Sequence, residues 1–94
     1  MPIQSALKLN VSISKQGKRY VAYAPALDIT TSGKSERDAQ KKFTELVELF
    51  LEELSEKGTL EQVLTELGWR KVRNVLQPPA TSHQTVSIRV PAFA

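Results

Sequence analysis

The sequence predicts an α+β domain: a small antiparallel-type sheet with helices on one face, in the order β-β-β-α-α-β. Leu7, Leu9, Val11 and Ile13 alternate with Lys8, Asn10, Ser12 and Ser14, the period of a half-buried strand. Ala39, Phe43, Leu46, Val47, Phe50 and Leu54 recur at the spacing of one helix face. Val86, Ile88 and Val90 then alternate with Thr85, Ser87 and Arg89, restoring the period of two.

The elements follow in chain order. After a first strand over 7–14, Gln16, Gly17 and Lys18 form a turn in which Gly17 is free to take a positive φ. Arg19–Ala24, rich in Tyr and Val, is the second strand of an antiparallel hairpin. Pro25 has no N–H for the ladder and ends it. Asp28, after this bend, suits an Asx-type turn, and β-branched Thr30 and Thr31 place a short third strand at 28–32. Gly33 breaks the run. Ser35 is the expected N-cap of a long helix, with Asp38 as its reciprocal capping partner and Gly58 as a left-handed C-cap after Lys57.

Leu49 and Leu51 flank the helix stripe on opposite sides and widen its apolar arc. Two readings stay open: a second helix and the C-terminal segment cover them, or they form a dimer contact. Thr59 caps that second helix, whose apolar side is Leu60, Val63, Leu64 and Leu67, and Gly68 ends it. Trp69 follows as a packing anchor. Pro78-Pro79 marks an extended connector to a last strand over 84–91, stopped by Pro91. The 94 residues make one domain, 1–94, with its core over 5–68 and an extended C-terminal arm.

Composition narrows the chemistry. The absence of cysteine excludes disulfides, thiolate metal sites and a cysteine nucleophile. MPIQSALKLN lacks the basic and apolar regions of a signal peptide, and no run approaches a membrane span, so a cytoplasmic location is expected. Net charge is +3, but its distribution is uneven. Residues 1–35 carry +4 (five Lys/Arg, one Asp), 36–66 carry −5 (nine acids, four bases), and 67–94 carry +4 with no acid.

Few polar groups converge. His83 is the single histidine, in a polar loop, so a catalytic triad is not expected. No phosphate loop, dinucleotide fingerprint or metal-ligand spacing occurs, and neither catalytic residues, metal nor cofactor is expected. Glu45, Glu48 and Glu52 share one helix face, with Glu56 nearby and Lys41 as an i, i+4 partner of Glu45. This face is either solvated surface or a docking surface for a basic protein. Trp69, Arg70, Lys71 and Arg73 form a basic cluster with one aromatic, either a nucleic-acid patch or long side chains lying over the core edge.

The run Tyr20-Val21-Ala22-Tyr23-Ala24-Pro25-Ala26-Leu27, then Thr31-Ser32-Gly33-Lys34-Ser35, then an acidic helix with Ala39, resembles the HicB family of antitoxins over about residues 7–57. In place of that family's Pro-x-Leu-Pro-Gly-Cys turn this chain has Pro25-Ala26-Leu27-Asp28-Ile29-Thr30. The resemblance implies a truncated ribonuclease-H-like layer. It also implies a protein-binding role, the occlusion of a small basic RNA-cleaving toxin of the HicA type. On that reading the partner contact uses Tyr23, Pro25, Leu27 and Asp28 with the Glu45, Glu48 and Glu52 face. Residues 69–94 are too few for the helix-turn-helix that full-length members carry, so DNA binding is not expected. The alternative is a stand-alone module that oligomerises or binds RNA. A homo-oligomer, a dimer, is expected in either case, through Leu49, Leu51, Val86, Ile88 and Val90, because a small sheet must protect its edges.

Overall fold

A computed structural model describes residues 9–92. Its elements are β1 (Ser12–Gln16), β2 (Arg19–Ala24), β3 (Ile29–Gly33), α1 (Glu36–Glu56), α2 (Leu60–Glu66), β4 (Arg70–Val72) and β5 (Val75–Gln77). The first three form an antiparallel sheet with β2 in the middle, and β4 and β5 form a separate two-stranded hairpin. The α+β class and the order of the first five elements match the sequence pattern. The last β element does not: it is the 70–77 hairpin, and the predicted strand over 84–91 is not formed. A single extended segment without a neighbour has no partner for its backbone groups, so alternation alone does not make a strand.

The first hairpin closes through Gly17, at φ 64°, with Gln16 opposite Arg19 and Ser12 opposite Tyr23. Strand pairing begins at Ser12; Leu9 and Val11 pack against the core ahead of the ladder. Leu7, Lys8 and the start of the predicted core at residue 5 lie outside the described residues. β2 ends at Ala24, directly before Pro25, as the missing N–H requires.

Alternation splits the sheet into two faces. Ala22 and Ala24 are fully buried beneath the helical layer, with Ile13, Tyr20 and Ile29 packed around them. The opposite face carries Ser12, Ser14, Arg19, Val21, Tyr23, Thr30 and Ser32, and among the described residues no helix covers it. Its polar groups bond to one another and to the backbone: Arg19 Nη2 donates to Ser32 Oγ at 3.0 Å, and Thr30 Oγ1 to the Ala22 carbonyl at 3.2 Å.

α1 begins where the sequence places it. Ser35 Oγ accepts the Asp38 N–H at 3.0 Å. The reciprocal bond lands one residue earlier than in a capping box, since the Asp38 carboxylate accepts the Lys34 N–H at 2.9 Å rather than that of Ser35. That bond, reinforced by Lys42 at 3.2 Å, holds the Asp38 pKa below the usual carboxylate value. Of the expected stripe, Ala39, Phe43 and Val47 are buried, while Phe50 and Leu54 are half-buried. Leu46 departs from it and is 40% exposed. α1 ends at a Lys57 cap followed by Gly58, at φ 70°.

Thr59 does not cap α2. Its hydroxyl instead donates back to the Leu54 carbonyl of α1 at 3.4 Å, a bond that ties the inter-helix turn together. α2 contributes Leu64 to the core, and the chain then delivers Trp69, the largest fully buried side chain. Trp69 Nε1 donates to the Ala26 carbonyl at 2.8 Å, joining the end of the helical layer to the bend after β2.

Beyond Gln77 the described chain forms no helix or strand. The Cα radius of gyration is 16.5 Å, against about 12 Å for a compact chain of this length.

Candidate functional site

The expected partner-binding residues fall on different surfaces. Leu27 is buried in the core and so anchors the bend from inside. Tyr23, Pro25 and Asp28 are exposed. The bend is held by Leu27 N–H donating to the Ala24 carbonyl at 3.3 Å and Asp28 N–H to the Pro25 carbonyl at 3.2 Å. Asp28 sits at φ 53°, a left-handed conformation that aspartate tolerates better than most residues. Its carboxylate makes no Asx-type bond; it accepts the Tyr23 hydroxyl at 3.1 Å. Donation to a carboxylate disfavours loss of the phenolic proton, and the Tyr23 pKa is raised accordingly.

Glu45, Glu48 and Glu52 are all exposed. At about 100° per residue they lie diametrically opposite Phe43 and Val47, on the outermost line of α1. Lys41 does not pair with Glu45; the ion pairs among the described residues are Lys42–Asp38 and Lys71–Glu61. The acidic row therefore faces solvent outside any ion pair, with Arg37 and Lys41 continuing the same helix face beside Glu45. Tyr23 points from the uncovered side of the sheet, so the two helix and sheet layers separate it from the row. One partner reaches both only by wrapping the end of the domain.

The basic cluster is also divided. Trp69 is 2% exposed, so its ring is not offered to a base, whereas Arg70, Lys71 and Arg73 are exposed on or beside the β4–β5 hairpin. The two-residue turn Arg73-Asn74 has φ of 52° and 64°, the positive pair of a type I′ turn. Lys71 reaches Glu61 of α2 at 3.5 Å.

The flanks of α1 are unequal. Leu51 is half-buried against the core, while Leu49 on the other flank is 56% exposed and adjoins Leu46. α1 lies chiefly over β3 and β2, with α2 packed beside it. The covered flank is the one carrying Leu51, and Leu46 and Leu49 form the open one. Val86, Ile88 and Val90 are 70%, 76% and 66% exposed on the arm.

A groove of about 500 Å³ separates residues 9–12 and 25–26 from Pro78, Pro79, Thr81 and His83. The root of the arm thus stands across this groove from the chain ahead of β1 and from the bend after β2. Among the described residues, no three His, Asp or Glu side chains stand close enough to hold a metal ion, and no helix is long and apolar enough to cross a membrane. Compared with protein-family models, curated proteins and solved structures, the chain has no match.

Proposed function

We propose that this chain is an antitoxin-like protein-binding module that works without catalysis, sheathing a small basic RNA-cleaving protein of the HicA type and occluding its active site. The observation that carries the reading is the acidic row Glu45, Glu48 and Glu52, exposed on the outer line of a long helix and engaged in no ion pair among the described residues. A fixed line of negative charge steers a positively charged partner and suppresses neutral or acidic ones. The resemblance of about residues 7–57 to HicB antitoxins supports the same role. So does the antiparallel β1-β2-β3 meander followed by a helix on one face, which we read as a truncated ribonuclease-H-like layer. The site of action is the cytoplasm, where messenger RNA is cleaved. The RNA-binding alternative loses its aromatic platform, because Trp69 is inside the core.

Reversing all three charges, in a Glu45→Lys, Glu48→Lys, Glu52→Lys variant, leaves the fold unchanged because none of the three contributes to the core. Association with a HicA-type protein at low salt is expected to slow by about tenfold or more, and the salt dependence of the rate to flatten. Stopped-flow association rates at several salt concentrations check this. An unaltered rate would remove the acidic row from the interface.

A further inference from the structure

We propose that the C-terminal arm is a donor strand: residues 84–91 of one molecule add to the free edge of β3 in a second copy of this chain, with reciprocal exchange forming a dimer. This is independent of the antitoxin reading.

The arm has a strand's pattern and, among the described residues, no partner. Val86, Ile88 and Val90 are 66–76% exposed, and in a strand they would share one side, with Thr85, Ser87 and Arg89 on the other. Three β-branched apolar residues in register have little reason to remain in water. The chain also offers an edge that lacks the usual protection. Exposed edge strands are blunted by charges or proline. β1 carries Lys15 at its edge, whereas β3, Ile-Thr-Thr-Ser-Gly, has neither charge nor proline.

The faces match as well. A strand added beside β3 directs alternate residues to the helix side and to the uncovered side. On the helix side stand Ile29 and α1, which lies chiefly over β3 and carries the exposed Leu46 and Leu49 on its open flank; Val86, Ile88 and Val90 would meet this apolar surface. On the uncovered side stand Thr30 and Ser32, which Thr85 and Ser87 would extend as a continuous row of hydroxyls. The unpaired backbone of the arm and that of β3 then satisfy each other.

The chain's own arm does not occupy this edge. Residues 84–92 are all exposed and pair with no strand of their own domain among the described residues, and the root of the arm lines the groove beside residues 9–12 and 25–26 rather than β3. The edge of β3 is thus open to the arm of another molecule.

The test uses full-length chains in sedimentation equilibrium. The unaltered protein is expected to dimerise. Ile88→Asp, on the arm, and Leu49→Glu, on the landing flank, each alter an exposed residue and are expected to weaken dimerisation by about tenfold or more. Mixing the two variants restores association above either alone, because the mixed dimer keeps one intact arm on one intact edge. Amide exchange is expected to slow at residues 86–90 and, together with them, at Thr30 and Ser32, whose N–H groups face away from β2. A monomer at every concentration, a dimer indifferent to Ile88→Asp or Leu49→Glu, or no recovery on mixing would overturn the proposal. So would arm protection in a monomer, which would place the arm on its own β1, or arm protection appearing only with a basic partner protein.

Discussion

Replacing Trp69 with alanine will cost about 3–5 kcal/mol, most of the stability of a domain for which about 5–10 kcal/mol is typical. The ring is the largest fully buried side chain and the point where α2, the bend and the C-terminal hairpin converge. Its loss leaves a cavity among Ala26, Leu27 and Leu64, and it leaves the Ala26 carbonyl without the indole N–H that it accepts at 2.8 Å. Trp69→Phe separates the two effects. It keeps most of the packing and loses the hydrogen bond, for a cost of about 1–3 kcal/mol. Urea unfolding followed by far-UV circular dichroism measures both. A Trp69→Ala midpoint close to that of the unaltered protein would show that the ring does not join the layers.

The second large effect is expected at Gly33. It is the last residue of β3 and lies beneath the first turn of α1. A Cβ there would stand 2.5 Å from the Ala39 nitrogen and 2.8 Å from its Cα. These are backbone atoms, so no side-chain rotation relieves the clash, and the first turn of α1 must lift from the sheet. Gly33→Ala is expected to cost about 1–3 kcal/mol, and Gly33→Val more, because the branched side chain pushes further into the same backbone. The same urea titrations check the order: unaltered, then alanine, then valine. A neutral Gly33→Ala would mean that α1 and β3 are not in this close contact.

Gly33 illustrates what the sequence does and does not disclose. A glycine after a threonine-rich run reads as a strand terminator, and it is one, but its reason is the approach of a helix, which no local pattern encodes. The elements with local signals were legible. Pro25 ends β2, Ser35 caps α1, Gly58 follows its end, and the Ala39, Phe43 and Val47 spacing marks its buried face. Trp69 was recognisable as a packing anchor from its position after a helix-ending glycine. Features set by neighbours were not legible. Leu46 obeys the helical stripe yet is exposed. Asp28 resembles a turn former, but Tyr23, five residues earlier, takes its carboxylate. The 84–91 alternation reads as a strand without saying where its partner is. The β4–β5 hairpin was missed for the opposite reason: its strands are three residues each, and Arg73-Asn74 lacks the glycine that usually announces a type I′ turn. Val72 and Val75 on either side of an Asn-containing pair were the available clue.

The candidate surface followed the same division. The glutamate row was readable because helical spacing alone defines it. Its separation from Tyr23 by two layers was not, since that depends on which face of the sheet the helix covers. Leu27 likewise sits in a motif suggestive of contact yet serves the core.

The most direct test of the protein-binding role is a titration of this chain into an RNA-cleavage reaction run by a small basic HicA-type enzyme. Stoichiometric addition is expected to stop cleavage through a complex that survives gel filtration. Cleavage continuing undiminished in an excess of the chain, with no complex formed, would contradict it.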